Sequence, residues 1–341
     1  MSSAPPNDDL TAVVINYNTA GLTRRCVRSL LDAGVPRVVL LDNASDAPDC
    51  QRLLDEHAGD RRVTVVGSET NLGFASGSNA AIAEALRDPA CRLVLSINSD
   101  AVADAAGLEA CLRATREGGF DLMGGRMHKP SPDPAGQVVD SLGIALYKSL
   151  LASNRKSTQD AYLGPTGGFA IYSRRFLEEV GAAHGYVFDP TYFCYAEDTD
   201  LCVRARLLGY AVGYTDAVVA HHEGQASSTG EYNDFILYHG IRNSIWMMAK
   251  SIPGWIIVAH LPWVLALHAG IVLRHLREGR WRTLLRLYRD ALRGLPHVLR
   301  ERRKVHASRR VSLRAFRAHI DRHFYETRFV GGALRDLFRR A

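Results

Sequence analysis

Three carboxylates stand within four residues at Glu197, Asp198 and Asp200, just before the amphipathic helical pattern Leu201–Leu208, which Gly209 is expected to end. Acidic side chains in a first helical turn stabilise the helix dipole, so we expect one of the three to have that role alone. Neighbouring carboxylates also repel one another and raise the pKa of at least one of them. Because a raised pKa suits a general base near neutral pH, this cluster predicts acid–base chemistry.

A further acid, Asp100, ends the segment Asn98-Ser99-Asp100, which follows the apolar run Leu93–Ile97. A carboxylate at the tip of a central strand can hold a hard divalent cation, and the cation can neutralise a diphosphate. A single acid is also a common strand terminator. Both interpretations stay open at this point.

Two adjacent histidines, His221 and His222, end another apolar run, Ala217–Ala220. If the strand continues through them, their side chains point to opposite faces of the sheet. The one that faces the crevice could complete a metal site beside carboxylates. The alternative is a histidine that is merely exposed.

Two other segments could contact a nucleotide. In Asp42–Ser45, the Asp42 carboxylate could accept hydrogen bonds from a ribose hydroxyl or a base, or it could form an Asx turn that ends a strand. The segment Asn71–Asn79 (NLGFASGSN) leads into a helix whose first N–H groups could face an anionic ligand. The alternative there is an ordinary helix start capped by Ser76 or Ser78.

These side chains lie at the ends of predicted strands. Apolar runs alternate with helical patterns in the N-terminal half, which predicts a parallel sheet covered by helices on both faces. The predicted strands are Thr11–Tyr17, Val38–Asp42, Val63–Gly67 and Leu93–Asn98, and the predicted helices include Leu22–Ala33, Ser76–Leu86 and Ala105–Glu117. Ligands bind at the carboxyl ends of such strands, so we expect the site near Asn16, Asp42 and Asn98–Asp100. Residues 119–166 are predicted to be mostly loop, and the absence of GxGxxG after the first strand argues against dinucleotide binding.

Charge is distributed unevenly along the 341 residues. Residues 274–341 carry 20 basic and 6 acidic side chains, whereas residues 1–273 carry 22 and 30. Such a basic region needs an anionic partner, and the scarcity of interleaved aromatics favours phospholipid over nucleic acid. The six cysteines form no CxxC pair, which fits a reducing compartment, and no signal peptide is evident.

A stretch of 23 residues without any charged side chain, residues 251–273, precedes this basic region. Its length could just span a bilayer, but His260, His268 and Pro262 are costly in hydrocarbon, so a dipping or interfacial segment is favoured at least equally. Basic amphipathic helices are predicted after it, with apolar residues at helical spacing at Leu284, Leu285, Tyr288, Leu292 and Leu295. A helical bundle packed on the rest of the protein is the alternative.

Seven segments in a fixed order resemble family 2 glycosyltransferases, especially the bacterial rhamnosyltransferase-like branch. They are VVINYN, LLDNAS, NLGFASGSNAAI, LSINSD, GPTGGFAIYSRR, YFCYAEDTDLCVRARLLGY and HHEGQASS, followed by Arg242-Asn243, and together they cover roughly residues 11–250. The resemblance implies an α/β GT-A fold, with a Rossmann-like, mostly parallel sheet flanked by helices. It also implies a nucleotide-diphosphate sugar donor, a divalent metal (Mn²⁺ or Mg²⁺) and inversion at the anomeric carbon.

The resemblance assigns donor-binding positions residue by residue. It places Asn16 and Asn18 in the nucleotide pocket, Asp42 on the base or ribose, and Asn71, Gly73 and Asn79 in the donor-binding loop. Asn98 replaces the first Asp of the family's DxD motif, which argues against direct ion binding by this residue. We therefore count Asn98 among the substrate-binding residues, together with Arg242.

The resemblance also assigns the chemistry. Asp198 corresponds to the catalytic base, with Glu197 beside it, and Asp100 corresponds to the metal ligand of the DxD motif. His222 best fits the family's metal-binding histidine, because it stands five residues before Ser227, and His221 is the fallback.

The sequence thus predicts a catalytic domain over residues 1–250, with a nucleotide-sugar half at about 1–120 and an acceptor half at about 121–250. Residues 251–341 are predicted to be a helical, basic, membrane-associated region. The expected reaction transfers a sugar, L-rhamnose from dTDP-rhamnose as the first choice, to a lipid-linked or polysaccharide acceptor. The expected place is the cytoplasmic face of an inner membrane, in peripheral or monotopic contact with anionic lipids. A nucleotidyltransferase and a non-catalytic membrane-surface adaptor are the alternatives.

Overall fold

A computed structural model describes residues 7–130, 138–222 and 233–326. It contains a nine-stranded mixed sheet in the order β3-β2-β1-β4-β10-β6-β11-β5, with β7 paired to β6, and a small β8–β9 sheet. The strands are β1 Leu10–Asn16, β2 Arg37–Asp42, β3 Val63–Gly67, β4 Leu93–Ile97, β5 Ala101–Ala103, β6 Leu122–His128, β7 Val139–Ser141, β8 Ile144–Leu146, β9 Ala152–Asn154, β10 Phe169–Ser173 and β11 Val212–His222.

The first four strands are parallel, as the alternation of apolar runs and helical patterns predicts. Their connecting helices are α1 Ala20–Asp32, α2 Ala47–His57, α3 Gly73–Ala85 and, after β5, α4 Ala105–Gly118. Asn16 pairs with Asp42 at the ends of β1 and β2, so both side chains reach the same edge of the sheet. The suggested capping of a helix by Ser76 or Ser78 is wrong, because α3 begins at Gly73 and both serines lie inside it.

The second half of the sheet mixes strand directions. β10 runs antiparallel to β4 and β6, and β11 runs parallel to β6 but antiparallel to β5. Residues 119–166, which were predicted to be mostly loop, also contain the four strands β6 to β9. In β6 the misleading signals are Gly124 and Gly125, where an added Cβ would lie 2.9 Å from Pro165 and 2.3 Å from Val219. These glycines allow close packing within a strand instead of ending it.

Six further helices follow in the second half of the described chain. They are α5 Arg174–His184, α6 Glu197–Leu208, α7 Asp234–Ser251, α8 Gly254–Arg277, α9 Trp281–Ala307 and α10 Leu313–Arg317. Helix α6 begins at Glu197, four residues before the predicted start, and ends at Gly209 with a left-handed φ of 79°, as expected. The domain division at residue 250 stays a prediction. Ile256, Val305 and Phe316 from beyond it are buried in the same cluster as residues of the sheet.

A buried ion-pair network joins α6 to the end of α7. Lys250 Nζ lies 2.5 Å from Asp189 Oδ2 and 2.9 Å from Asp200 Oδ2, and Arg204 Nε lies 2.9 Å from the same Asp200 oxygen. Burial raises the pKa of both carboxyls, but the charge of Lys250 outweighs it and lowers the pKa of Asp189 to about 2. Lys250 and Arg204 likewise lower the pKa of Asp200. The network holds α6 in place, because separating buried charges from their partners costs a large amount of free energy.

Replacing Lys250→Met removes the cation that the two carboxylates share. We expect the free energy of unfolding at pH 7 to fall by about 3 kcal/mol or more, because buried charge is left without its partner. Lys250 keeps the folded-state pKa of Asp189 below its unfolded value, so its stabilisation is present above about pH 4 and is lost as the pH falls toward 2. The free energy of unfolding of the variant, measured with urea, should therefore approach that of the wild type as the pH falls toward 2.

The matched control for this variant is Arg87→Met, which removes an exposed ion pair with Glu84. This surface substitution should change the free energy of unfolding by less than about 1 kcal/mol. Equal losses in Lys250→Met and Arg87→Met would contradict a structural role for the buried network.

Candidate active site

The ends of β1 and β2 form one wall of the candidate site. Asn16 Nδ2 lies 2.9 Å from Asp42 Oδ1, 2.9 Å from Ser45 Oγ and 2.9 Å from Asp49 Oδ2, and both Asn16 and Asp42 are buried. Asn18 holds the same loop from the other side, since its Oδ1 accepts a hydrogen bond of 2.7 Å from the Asp46 N–H. The structure thus brings the predicted Asn16, Asn18 and Asp42 together.

The segment after β3 forms a second wall. Asn71 Oδ1 accepts the Gly73 N–H at 2.8 Å, and Gly73 has a φ of +73°. A Cβ added at Gly73 would lie 2.5 Å from the carbonyl oxygen of Phe193, so only glycine fits this approach. Asn79 binds the backbone of Phe188, because its Nδ2 donates to the Phe188 carbonyl at 2.7 Å and its Oδ1 accepts the Phe188 N–H at 2.9 Å.

Asp100 and His222 meet where β4 ends and β11 passes β5. His222 Nε2 lies 3.1 Å from Asp100 Oδ1, and His222 Nδ1 lies 2.7 Å from Asp140 Oδ2. Asn98 Nδ2 lies 3.3 Å from His222 Nε2. Burial lowers the pKa of His222, but the hydrogen bonds and charges of the two aspartates outweigh it and raise the pKa to about 9.

His221 lies on the opposite face of β11, as strand alternation predicts, and its ring packs edge-on against His128. The remainder of the motif, Glu223–Ser228, lies outside the described residues. Asp140 was missed by sequence reasoning. It belongs to β7, inside the region that was predicted to be mostly loop, and no local pattern connects it with His222 across 82 residues.

The acidic cluster begins α6 directly after a strained turn. Phe193, Tyr195 and Ala196 have φ values of 64°, 67° and 68°, and a positive φ costs free energy for residues other than glycine. We call residues 193–196 the strained turn. The helix that follows carries Glu197 and Asp198 at its first two positions. The turn therefore fixes where these two carboxyls stand.

Asn243 of α7 holds the strained turn in place. Its buried Nδ2 lies 2.9, 2.7 and 2.8 Å from the carbonyl oxygens of Tyr192, Cys194 and Tyr195. Arg242 fixes the Asn243 amide in turn, because its guanidinium donates to Asn243 Oδ1 at 2.9 and 2.8 Å. The Arg242 side chain is buried and engaged within the protein. Sequence reasoning singled out Arg242 but missed the holding role of Asn243.

Asp198 joins the strained turn to the sheet. Its Oδ2 accepts a hydrogen bond of 2.9 Å from the Gly167 N–H, while the next residue, Gly168, accepts the Asn98 N–H through its carbonyl at 3.2 Å. The Phe193 carbonyl of the turn accepts the Ala75 N–H at 3.0 Å. One continuous set of short contacts thus connects the acidic cluster with Asn98 and with the segment after β3.

The three acids of the cluster differ in the direction in which the protein shifts their pKa values. Burial raises the pKa of Asp198 and raises that of Glu197 well above its ordinary value, with further repulsion from Asp198 on Glu197. Glu197 Oε2 is buried without a hydrogen-bond partner among the described residues. A raised pKa in this cluster is confirmed, although burial contributes more than mutual repulsion. Asp200 belongs to the ion-pair network, so its role exceeds the helix-dipole role expected for one acid.

A different group of residues also offers potential metal ligands. Asp160, Asp321 and His323 bring one ligand atom each within 4.8 Å of one another. His323 Nδ1 is 2.7 Å from Asp321 Oδ1, and Asp321 Oδ2 accepts the Ala161 N–H at 2.6 Å. Because these contacts already satisfy the group, it gives no separate argument for an ion.

The sequence profile of glycosyl transferase family 2 matches residues 11–181. Among curated proteins, the chain is similar to the low-salt glycan biosynthesis hexosyltransferase Agl10 of Haloferax volcanii. The two are 21 % identical over 243 residues, which cover 69 % of this chain and 74 % of the relative.

Solved structures share the fold. S. aureus TarS 1–349 in complex with UDP has a TM-score of 0.54 at 17 % identity, with 88 % of each chain covered. The mannosyltransferase PcManGT of Pyrobaculum calidifontis, in complex with GDP-Man and Mn²⁺, has a TM-score of 0.52 at 17 % identity, covering 89 % of this chain and 88 % of that one. GalNAc-T7 with UDP, GalNAc and Mn²⁺ has a TM-score of 0.56 at 13 % identity, and the match covers 76 % of this chain but about half, 51 %, of that one.

The predicted fold class is confirmed: the mixed, helix-flanked sheet is a GT-A-like fold. The family profile covers half of the chain and includes β1 to β10, which carry the predicted donor-side residues. The chain therefore belongs to glycosyl transferase family 2.

Proposed function

We propose that this protein is an inverting glycosyltransferase that moves a sugar from a nucleotide diphosphate to a hydroxyl of a lipid-linked or polysaccharide acceptor in cell-surface glycan synthesis. L-Rhamnose from dTDP-rhamnose is the proposed donor, on the strength of the branch resemblance. The observation that carries the proposal is the Gly167-Gly168 pair, which joins Asp198 to Asn98 by two backbone hydrogen bonds. The pair thereby fixes the position of the proposed proton acceptor, Asp198, relative to the proposed donor-binding edge of the sheet at Asn98.

Asp198 is the proposed general base. Its raised pKa gives the carboxylate a stronger attraction for a proton than an exposed aspartate has, which suits removal of a proton from an acceptor hydroxyl. Hydrogen bonds from the Gly167 N–H to Oδ2 and from the Thr199 N–H to Oδ1 fix both carboxylate oxygens, so the whole group is oriented. As the hydroxyl oxygen attacks the anomeric carbon, the nucleotide diphosphate leaves in a single displacement, which inverts that carbon. Glu197 stands beside Asp198 in the proposed site, and burial raises its pKa well above the ordinary value.

Asp100 and His222 are the proposed ligands of a divalent cation, with His221 set aside because it faces away. Their oxygen and nitrogen donors suit Mn²⁺ or Mg²⁺, and the two carboxylates around His222 create a place that favours positive charge. A bound divalent cation supplies stabilisation of the negative charge on the leaving diphosphate. TarS, PcManGT and GalNAc-T7 were solved with nucleotides, nucleotide sugars or Mn²⁺, which supports this proposal.

Donor contacts are proposed for Asn16, Asn18, Asp42, Asn71 and Gly73, which line neighbouring parts of one sheet edge. Asn79 and Arg242 are proposed to act indirectly. Asn79 holds the backbone of Phe188, and Arg242 holds the Asn243 side chain. Family membership favours glycosyl transfer over the nucleotidyltransferase and adaptor alternatives.

Membrane association on the cytoplasmic side of the inner membrane is part of the proposal, with anionic lipids as the partner and no nucleic acid. Among the described residues, one helix, α8, is long and apolar enough to cross a membrane. The basic excess over residues 274–341 follows it directly, although residues 327–341 lie outside the described part.

Replacing Asp198→Asn should lower kcat by about 10²- to 10⁴-fold, because the amide can still accept the Gly167 N–H but cannot take a proton. Nucleotide affinity, measured by calorimetry, should stay within about threefold of the wild type. Transfer of labelled sugar to a lipid extract gives kcat. Glu117→Gln, an exposed acid of α4, is the matched control and should behave as wild type. Near-normal turnover in Asp198→Asn would remove the base assignment.

Replacing Asn243→Asp should lower kcat by about a hundredfold with a much smaller change in the KM of the donor, because a carboxylate cannot donate to the carbonyls of Tyr192, Cys194 and Tyr195. It can still accept hydrogen bonds from Arg242, which separates the two contacts. Ser244→Ala, which removes only a bond within α7, is the control and should keep normal kcat. If Asn243→Asp raises KM without lowering kcat, the turn does not position Asp198.

A further inference from the structure

Helix α8 is attached to the protein by one narrow stripe. Its buried residues are Ile256, His260, Val264, Leu267 and His275, which follow one another at helical spacing. Most of the other side chains between Trp255 and Leu273 are apolar and exposed, and only 22 % of the most apolar 18 residues of the helix are buried. Trp255 is 71 % exposed and Leu265 is 60 % exposed. Contiguous apolar surface of this kind marks an interaction site in a folded protein.

Helix α9 returns along α8 and carries the complementary charge. The chain turns at Gly279, His268 Nδ1 lies 2.9 Å from Tyr288 Oη, and Arg302 Nη1 donates to the carbonyl of Ile252 at 2.7 Å. The two helices therefore run antiparallel as a helical hairpin, with contacts at His268 in the second half of α8 and just before the start of α8.

The outer surface of α9 places leucines beside arginines. Leu285, Leu292 and Leu299 are exposed and recur every seven residues, so they lie in one row. Exposed arginines follow this row along the helix: Arg282, Arg286, Arg289, Arg293, Arg300 and Arg303. An apolar row with neighbouring cations matches the boundary between acyl chains and anionic headgroups.

The hairpin geometry excludes a spanning orientation of α8. A helix that crossed the bilayer would take its neighbour α9, with its arginines, into hydrocarbon, where charged side chains are costly. The middle of α8 is also tied to the sheet part, because His260 Nδ1 bonds the carbonyl of Lys148 at 2.7 Å and the Lys148 ammonium lies over the Trp263 ring.

We propose that the α8–α9 hairpin is a membrane-docking surface that lies in the plane of an anionic phospholipid bilayer. The exposed side of α8 enters the acyl boundary, and the arginines of α9 bind lipid phosphates. Helix α7 connects this surface to the site, since Leu237 packs in a cluster with Leu284 and Leu287 of α9 while Asn243 holds the strained turn. This inference rests on the membrane association within the proposed function and adds to it the docking surface and its in-plane orientation, whereas vesicle binding is independent of the transfer reaction.

Vesicle flotation tests the surface with the full-length protein. We expect binding to vesicles of phosphatidylcholine with phosphatidylglycerol and weak binding to phosphatidylcholine alone. Arg289→Gln with Arg293→Gln should weaken binding to the anionic vesicles by about fivefold for each arginine. Val258→Asn with Leu265→Gln should weaken it at least as much, since both apolar side chains are exposed. Leu54→Gln with Arg62→Gln, exposed residues elsewhere, is the control and should bind as wild type.

Quenching by lipids brominated at different depths gives the orientation. Tryptophans 255 and 263 of α8 should be quenched together by shallow bromines, with little quenching from the bilayer centre. Quenching of one of them from the centre would overturn the in-plane orientation. If all variants bind vesicles equally well, the docking surface is wrong. It is also wrong if the wild-type protein binds no vesicles and instead forms a dimer that Leu265→Gln dissociates. Because vesicle binding needs no donor or acceptor, Asp198→Asn should bind vesicles normally, which separates this test from that of the transferase.

Discussion

The hydrogen bonds from Asn243 to the strained turn are the constraint on which the site depends. Three residues at positive φ within four positions store about 1–3 kcal/mol each, so the turn persists only because its surroundings determine it. Asn243 supplies those surroundings from α7 by bonding three carbonyls. The turn sets the first residue of α6, and its Phe193 carbonyl meets Ala75 of the segment after β3. A single local conformation thus orders both the proposed base and the proposed donor loop.

Burial gives neighbouring carboxyls opposite properties within one helical turn. Glu197 is buried and Asp198 is half-buried, and loss of solvent raises the pKa of both carboxyls. Asp200 is fully buried, but Lys250 and Arg204 lower its pKa and keep it charged. The first pair is suited to proton transfer, whereas the third acid anchors the helix. The pKa of each carboxyl therefore depends less on its position along α6 than on the element that packs against its side chain.

Local sequence patterns specify the parallel half of the sheet and the strand ends where Asn16, Asp42 and Asp100 lie. Strand alternation also predicts that only one of His221 and His222 faces the crevice, and the structure gives His222. Asp140 and the holding role of Asn243 could not be predicted, because each acts through contacts with residues at least 48 positions away. Gly124 and Gly125 of β6 suggested a loop for a related reason. The close contacts that require glycine there come from Pro165 and Val219, which are distant in the sequence.

Crystals of the protein grown with Mn²⁺ and a nucleoside diphosphate provide the most direct measurement, because anomalous scattering locates manganese independently of any activity. We expect one strong peak within coordination distance, about 2.0–2.3 Å, of Asp100 and His222. The diphosphate should lie against it at the sheet edge formed by Asn16 and Asp42. A peak at Asp160, Asp321 and His323 instead, or bound nucleotide with no manganese near Asp100, would contradict the proposed site.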